Sequence, residues 1–220
     1  MALAANGADE GLWLRAERQT GGRGRMGRSW TSEPGNLHIS TLVRLRAGDP
    51  PAPTLALVSA IAAHDTAQAL LPDRRVTIKW PNDLTVDGAK LCGMLLERQG
   101  DAVIAGFGMN VEQAPDLPDR IATSLAACGA DPEVDAPQVA ELLAGNFARR
   151  LDMWRREGLE SIIAAWLSAA HDRGTRLRVI CPDGTRIEGA FDGLAQDGAL
   201  LLTLEDGTRQ VIHAGDVFAI

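Results

Sequence analysis

Residues 11–45, GLWLRAERQTGGRGRMGRSWTSEPGNLHISTLVRL, decide the fold of the N-terminal part of this chain. Apolar and polar side chains alternate at 11–19 and again at 36–45, which predicts two β-strands. A Pro34-Gly35 turn precedes the second strand, and a segment rich in glycine and arginine separates the two. The stretch therefore predicts a strand, a long loop and a second strand.

The loop in this stretch is far more basic than the protein that carries it. Residues 15–30 contain five arginines and one glutamate, although the 220-residue chain has a formal net charge of −7. An acidic chain is not expected to bind nucleic acid, because phosphate contacts need a basic surface. We therefore interpret the loop as a mobile cover for a small anion, with charge supplied by Arg23, Arg25 and Arg28. A solvated basic loop is the alternative.

Composition narrows the class of protein further. An apolar fraction of 45% and a charged fraction of 23% are typical of a soluble globular protein. The N-terminus lacks the features of a signal peptide, and no apolar run reaches the about 18 residues of a membrane span. The three cysteines are far apart and form no CxxC pair, which argues against a disulfide framework or a zinc site. These features predict a cytoplasmic protein that binds neither membrane nor nucleic acid.

The glycines of the loop formally match the dinucleotide fingerprint GxGxxG at Gly22, Gly24 and Gly27. That fingerprint needs a helix that opens directly on the glycines, whereas a tryptophan, a turn and a strand follow here. A protein kinase also places a glycine loop between two strands, but this chain has neither the HRD nor the DFG motif. The sequence therefore predicts neither nucleotide-binding class.

A second motif, KWPNDL, begins at Lys79 and is followed by Lys90 and Gly93. The chain has 22 basic residues and uses lysine only at these two positions, which indicates a need for compact ammonium groups. Asn82 can bind a base edge or a ribose, and Asp83 can hold a metal ion or orient a lysine. Lys90 can neutralise a carboxylate and a phosphate that approach each other. A salt bridge at the end of a strand is the alternative.

A third motif, Gly106-Phe-Gly108-Met-Asn110, places small residues and one amide at the end of an apolar run. The apolar runs at 90–98 and 102–111 have the length of neighbouring strands in one sheet. Glycine inside a strand often marks close approach of a ligand to the backbone, and a simple bulge is an equal alternative.

The remaining patterns predict helices and a separate β-module. Periodic apolar positions indicate three helices, at 54–71, 137–158 and 159–170. Residues 114–120 are interpreted as a loop. Turn signals separate short strands from about residue 173 onwards, which is typical of a compact barrel. The predicted architecture is α/β (α+β), with a mixed sheet flanked by helices at 1–172 and a small β-barrel at 173–220.

The three motifs, QTGGRGRMGRSW, KWPNDL…KLCGMLLE and GFGMNV, resemble in this order those of the biotin protein ligase family. The terminal module with GDVFAI resembles that family's SH3-like C-terminal domain, so the resemblance covers essentially the whole chain. It implies a class II synthetase-like catalytic domain. It further implies that biotin and MgATP give biotinyl-5′-adenylate, and that biotin then passes to a lysine of a biotin carboxyl carrier domain.

The resemblance also implies roles for individual residues. Biotin contacts are expected from Gln19, Gly22, Arg23, Arg25, Lys90, Gly93 and Gly106. ATP or adenylate contacts are expected from Arg28, Trp30, Asn82, Lys90 and Asn110. Catalytic roles are expected for Lys90, Arg25 and Asp83. Lys90 matches the family lysine that bridges the biotin carboxyl group and the α-phosphate. Asp83 is a possible metal-side group for Mg²⁺, and no full set of metal ligands is implied.

Two features depart from the family pattern. The first family strand carries a Ser/Thr-Thr-Asn element that contacts biotin, whereas this sequence starts within the helix expected after that strand. The winged helix of the bifunctional biotin repressors is also missing, so a ligase without direct operator binding is expected. A homodimer is the family expectation. The alternatives are a lipoate-protein ligase and a non-catalytic or impaired protein that binds biotin or its adenylate.

Overall fold

The computed structural model describes residues 1–117 and 120–220 and confirms the α/β class. Six strands form its first sheet: β1 (Trp13–Ala16), β2 (Leu37–Arg44), β3 (Val76–Lys79), β4 (Asp83–Val86), β5 (Ala89–Gln99) and β6 (Ala102–Met109). They lie in the order β1-β2-β6-β5-β4-β3 with antiparallel pairing between neighbours. Parallel pairing occurs at two isolated bridges, which join Ile78 to Ala170 and Lys90 to Ala122.

Strand β1 is shorter than the alternating run at 11–19 predicts, because it lies at the edge of the sheet. It pairs only with β2, from Trp13 opposite Thr41 to Ala16 opposite His38. Beyond Ala16 the chain leaves the sheet and enters the loop that the sequence predicts. Strand, loop and antiparallel strand are therefore confirmed, and this order is not that of a dinucleotide-binding turn.

Helix α1 (Ala2–Ala5) is short, and the longer helices are α2 (Leu55–Leu70), α3 (Ala136–Glu157) and α4 (Leu159–Ala169). Helix α2 is buried on most of its surface because it lies between the sheet and the other two long helices. The helical spacing at 54–71 predicts that Ala69 lies on the apolar side of α2 with residues such as Leu57 and Ile61, but Ala69 is exposed in the last turn of the helix. No helix in the described ranges has the length and apolar character that a membrane span requires.

The start and the end of α3 follow from its sequence. The Asp135 carboxylate accepts from the backbone N–H of Gln138 at 2.9 Å, and the Gln138 side chain accepts from the backbone N–H of Asp135 at 3.1 Å. This reciprocal pair is a capping box. Gly158, with φ of +79°, ends α3 and precedes α4. The two consecutive helices predicted at 137–158 and 159–170 are thus confirmed to within a residue or two.

Five strands form a second antiparallel sheet: β7 (Arg176–Ile180), β8 (Arg186–Leu194), β9 (Leu200–Thr203), β10 (Arg209–Ile212) and β11 (Asp216–Ala219). The order β10-β9-β8-β7-β11 places consecutive strands β10 and β11 at opposite edges. The link between these edges spans at most about 14 Å, whereas four flat strand spacings would need about 19 Å. The sheet must therefore curl into a small barrel, as the turn pattern predicts.

The barrel packs against α4 and shares one apolar core with the first sheet. Trp166 of α4 is buried, and its ring centroid lies 6.4 Å from that of Phe191 in β8. Barrel residues such as Leu202 and Val217 belong to the same buried cluster as Leu37 of β2. This packing fixes the barrel beside the sheet face that carries the motif residues.

An ion-pair network at Glu10 holds the N-terminal segment against the sheet and α3. The carboxylate accepts from both terminal nitrogens of Arg155 at 2.8 Å and from the backbone N–H of Arg44 at 2.8 Å. Hydrogen bonding from Arg155 is the main cause that lowers the pKa of Glu10 from 4.5 to about 2.

We expect Glu10→Gln to lower the free energy of unfolding at pH 7 by about 2 to 3 kcal/mol, somewhat less than the about 3 to 4 kcal/mol of the full pKa shift because solvent screens this partly exposed carboxylate. Because the folded-state pKa is depressed, the contribution is complete above pH 4.5 and is lost as the pH falls towards 2. Denaturant unfolding of both proteins at pH 7 and pH 3 checks this, with Glu141→Gln on the exposed side of α3 as the control. If the free energies of unfolding of the variant and the unmodified protein differ by the same amount at pH 7 and pH 3, the charge of the Glu10 carboxylate does not stabilise the fold.

Candidate active site

A cavity of about 800 Å³ lies between the sheet, the barrel and the segment that joins β1 to β2. We call residues 17–30 of that segment the arginine loop. Eleven of the twelve residues expected at the site line this cavity, namely Gln19, Arg23, Arg25, Arg28, Trp30, Asn82, Asp83, Lys90, Gly93, Gly106 and Asn110. The volume lies within the range of small-molecule sites.

The twelfth expected residue, Gly22, has a structural reason to be glycine. A Cβ at this position would lie 2.7 Å from the carbonyl oxygen of Trp30 and 2.8 Å from Oε1 of Gln19. The carbonyl of Gly22 accepts from the backbone N–H of Trp30 at 3.0 Å, and Gly24 donates to the carbonyl of Arg28 at 2.7 Å. The arginine loop is therefore folded back on itself, with Gly22 at the point where its two arms touch.

Lys90 and Asp83 form an ion pair in the cavity wall. Their Nζ and Oδ1 atoms are 2.7 Å apart, and their side chains are only 16% and 12% exposed. Adjacent strands β4 and β5 hold the two residues, and a register shift between Leu84 and Thr85 brings Asp83 opposite Gly93. A buried carboxylate thus fixes the one ammonium group that faces the cavity from β5.

Trp30 lies flat on a floor made of two glycines. Gly93 of β5 and Gly108 of β6 are direct partners across the sheet. A Cβ at Gly93 would lie 2.8 Å from the Trp30 ring, and one at Gly108 would lie 2.5 Å from it. The ring centroid is 5.3 Å from Nζ of Lys90, within cation–π distance. Trp30 therefore packs on Gly93. The resemblance implies a biotin contact for Gly93 and an adenylate contact for Trp30, and the structure places these two residues against each other.

The buried indole nitrogen of Trp30 has no hydrogen-bond partner among the described residues. Buried N–H groups in native proteins are nearly always paired, so an orphaned one beside a cavity indicates a ligand acceptor. The guanidinium of Arg23, which also lines the cavity, has no hydrogen-bond or ion-pair partner in residues 1–117 and 120–220. Both groups point to a polar, anionic ligand.

Arg25 bridges the motifs instead of extending into solvent. Its Nη1 donates to Oδ1 of Asn82 at 3.3 Å and to the carbonyl of Gly215 in the barrel at 3.4 Å. Burial lowers the pKa of its guanidinium, and the nearby Asp216 and Asp83 carboxylates oppose that shift. Because an arginine stays protonated throughout the working pH range, Arg25 places a fixed positive charge in the cavity that Lys90 also lines.

The two expected asparagines both support the cavity wall. Nδ2 of Asn82 donates to the carbonyl of Met94. Nδ2 of Asn110 donates to the carbonyl of Thr123 at 2.8 Å and to that of Lys90 at 3.4 Å. Asn110 therefore joins β5 to the segment that follows the loop predicted at 114–120. Positions 118 and 119 of that loop lie outside the described residues.

Of the cavity residues that the sequence did not assign to the site, two are polar residues from other parts of the fold. Ser40 of β2 lies directly opposite Gly106 in the sheet, and its hydroxyl closes the cavity floor there. Asp216 reaches the cavity from the barrel and had been interpreted only as part of a turn signal. Ser40 lies outside the three site motifs, and Asp216 lies in GDVFAI, which indicated the C-terminal domain but no role in the site.

Other titratable groups near the site have no catalytic geometry. Burial raises the pKa of the Cys92 thiol to about 12, so it is not a nucleophile. Burial also lowers the pKa of His38. Among the described residues, no cluster of three or more histidine, cysteine or acidic side chains could hold a metal ion. The arrangement can bind and neutralise anions, and nothing in it resembles a nucleophile with its base.

The sequence of this chain matches two families of known proteins. Residues 6–113 match the biotin/lipoate A/B protein ligase family, and residues 174–219 match the biotin protein ligase C-terminal domain. The chain is 36% identical over 231 residues to the biotin–[acetyl-CoA-carboxylase] ligase of Paracoccus denitrificans, covering 97% of this chain and 92% of that protein. The chain belongs to the biotin protein ligase family.

Further members of the biotin protein ligase family agree with this assignment. The biotin–[acetyl-CoA-carboxylase] ligase of Mycobacterium tuberculosis is 35% identical over 223 residues, covering 99% of this chain and 82% of that one. The solved structure of the Aquifex aeolicus biotin protein ligase in complex with biotin and ATP superposes with a TM-score of 0.85. It is 26% identical, and the match covers 100% of this chain and 94% of the other.

Proposed function

We propose that the cavity joins biotin to ATP as biotinyl-5′-adenylate and that the protein then transfers biotin to a lysine of a biotin carboxyl carrier domain. The chain is an ATP-dependent biotin ligase by family, and both biotin and ATP are its substrates. The observation that carries the residue-level proposal is the buried Lys90–Asp83 pair facing a cavity lined by four arginines, three of them in the arginine loop.

In the first step, a carboxylate oxygen of biotin attacks the α-phosphorus of ATP. The bond from that phosphorus to the bridging oxygen of the β-phosphate breaks, and pyrophosphate leaves. Two anions must meet for this to happen, so cations fixed in advance at the meeting point stabilise the transition state. Lys90, held by Asp83, and Arg25, held by Asn82, are two such fixed cations.

Lys90 is suited to a position between the two anions. Its ammonium group is compact and carries three donors, so it can contact a carboxylate and a phosphate at once. Asp83 limits its rotation, and the Trp30 ring covers it on one side. Little reorganisation is then needed as charge develops on the phosphate oxygens.

In the second step, the amine of the carrier lysine attacks the acyl carbon of the adenylate. The bond from that carbon to the phosphate oxygen breaks, AMP leaves and the amine loses a proton. No side chain of the ligase is acylated, which is consistent with the inert Cys92 thiol. The arginine loop would shield the adenylate from water until the carrier arrives.

Mg²⁺ is expected to enter with ATP. Magnesium in nucleotide sites is held by one or two carboxylates together with phosphate oxygens and water. Asp83, on the cavity wall, is a suitable carboxylate for such a shared site, and the phosphates would supply the other oxygens. When bound, the ion would offset phosphate charge.

The test is a reconstituted reaction of the purified protein with biotin, MgATP and an apo biotin carboxyl carrier domain. We expect pyrophosphate release and a carrier whose mass rises by one biotinyl group. A carrier with its acceptor lysine replaced by arginine should stay unmodified. If the protein releases no pyrophosphate and forms no biotinyl-adenylate, the proposed function is wrong. Replacing biotin by lipoate in the same assay separates the two activities named by the family.

A further inference from the structure

The barrel is connected to the arginine loop by an ion pair that joins distant parts of the chain. Nη2 of Arg28 donates to both carboxylate oxygens of Asp216, at 2.8 Å and 2.6 Å. The two residues are 188 positions apart, and their side chains are 38% and 33% exposed. Because both line the cavity, the pair bridges its rim from the loop side to the barrel side.

A second contact ties the same two elements together. The carbonyl of Gly215, next to Asp216, accepts from Nη1 of Arg25. Gly215 ends the turn that joins β10 to β11, Asp216 is the first residue of β11, and this segment lies tightly against β7. A Cβ at Gly215 would lie 2.5 Å from a methyl group of Val179. The turn therefore cannot shift towards β7, and it presents the Asp216 carboxylate from a fixed position.

The barrel is also attached to the KWPNDL motif. Nε1 of Trp80 donates to the carbonyl of Gly198, in the turn between β8 and β9, at 3.1 Å. Nζ of Lys79 lies 5.2 Å from the ring centroid of Phe218 in β11. These contacts place the barrel relative to the segment that supplies Asn82 and Asp83, so Asp216 is fixed with respect to the cavity wall.

We propose that Asp216 is a positioning residue that holds the arginine loop closed over the cavity through Arg28. The pair uses only Nη2 of Arg28, which leaves Nε and Nη1 of the same guanidinium available to donate to a ligand. Asp216 orients Arg28 and does not itself contact the reacting atoms. Retention of the adenylate then depends on the barrel, and this inference rests on the proposed function.

The experiment compares Asp216→Ala with the unmodified full-length protein in pyrophosphate-release kinetics and in a chase of preformed biotinyl-adenylate. We expect KM for ATP and the release rate of the adenylate to rise about tenfold, as for loss of one charge-assisted pair. We expect kcat at saturating ATP to change far less. Asp216→Glu, which keeps the charge, should recover most of the loss.

Arg28→Ala and the double variant test whether the pair acts as one unit. The double variant should lose no more than the worse single variant, because each single change already breaks the contact. Asp192→Ala is the matched control, since this barrel carboxylate pairs with Arg173 and Arg209 away from the cavity and should leave the kinetics unchanged. Thermal unfolding of every variant accompanies the kinetics.

Unchanged KM and adenylate release in Asp216→Ala would overturn the proposal, as would losses that simply add in the double variant. A fall in kcat alone would overturn it too, because loop closure acts on binding and retention. If the unmodified protein forms no adenylate, the proposed function fails instead, and the two failures are thereby distinguished.

Discussion

Lys90→Met is expected to lower the rate of biotinyl-adenylate formation by about a thousandfold, the upper range for removal of one preorganised electrostatic group. Methionine keeps the length and apolar stem of lysine, so the packing against Trp30 and Gly93 is retained. The variant lacks the ammonium that we propose lies between the biotin carboxylate and the α-phosphate. Single-turnover formation of radiolabelled adenylate measures the effect, and a near-normal rate would remove Lys90 from the catalytic step.

The control for this variant concerns Asp83, which Lys90→Met leaves as a nearly buried carboxylate without its partner. An uncompensated charge of this kind destabilises a protein and could lower activity by itself. The double variant Lys90→Met with Asp83→Asn removes that charge. We expect it to regain stability in thermal unfolding but no adenylate formation. Recovery of activity in the double variant would show that the stranded carboxylate caused the loss.

The variant Lys90→Arg tests whether a positive charge alone is sufficient for adenylate formation. A Cβ at Gly93 would lie 3.1 Å from Nζ of Lys90, so the space around the ammonium is already narrow. The wider guanidinium fork has to move away from Asp83 or displace the Trp30 ring. Arginine should therefore restore only a small part of the rate lost in Lys90→Met, which would explain why lysine occurs here in a chain that otherwise uses arginine.

Local periodicity was enough to predict much of this fold. Alternation at 36–45, helical spacing at 54–71 and closely spaced turn signals after 173 each depend on interactions between near neighbours in sequence. The motif residues also met in one cavity, because those on β4, β5 and β6 line the same part of the sheet and the arginine loop lies against it. Eleven of twelve expected residues line that cavity.

The parts that sequence did not predict depend on long-range geometry. The seat of Trp30 requires Gly93 and Gly108 to be direct partners across β5 and β6, and a shift of one residue would turn one of them away. The Arg28–Asp216 pair requires the barrel to lie beside the loop, which follows from packing on Trp166. The residue pattern of a single chain specifies neither the register between β5 and β6 nor the packing of the barrel on Trp166.

The burial of α2 is a second feature that the sequence pattern did not predict. Its helical spacing predicted one apolar face, whereas Ser59, Ala60 and Ala63 are buried as well. These small residues allow the sheet and two helices to approach α2 together. Periodicity detects a helix that has one buried side, and it underestimates a helix that is surrounded.

The second large effect is expected for Gly108→Ala. The added methyl group would lie 2.5 Å from two ring carbons of Trp30, closer than real Cβ contacts, so the ring must leave its seat. Overpacking at such a site typically costs about 1 to 3 kcal/mol of folding stability. Because the displaced ring no longer lies beside Lys90, we also expect kcat/KM for ATP to fall by about 10- to 100-fold, which corresponds to about 1.4 to 2.7 kcal/mol of transition-state stabilisation. The strand itself should form normally, because alanine suits its extended backbone.

Trp30→Ala provides the decisive comparison for Gly108→Ala. If the methyl group acts by displacing the Trp30 ring, then Gly108→Ala has no further effect in a protein that already lacks the ring. Steady-state kinetics of the two single variants and the double variant measure this directly. Indole fluorescence should also shift to longer wavelength in Gly108→Ala as Trp30 becomes more exposed. If Gly108→Ala lowers kcat/KM just as much in the protein that already lacks the Trp30 ring, the prediction is wrong. The added methyl group would then act directly on the substrate and not through the tryptophan.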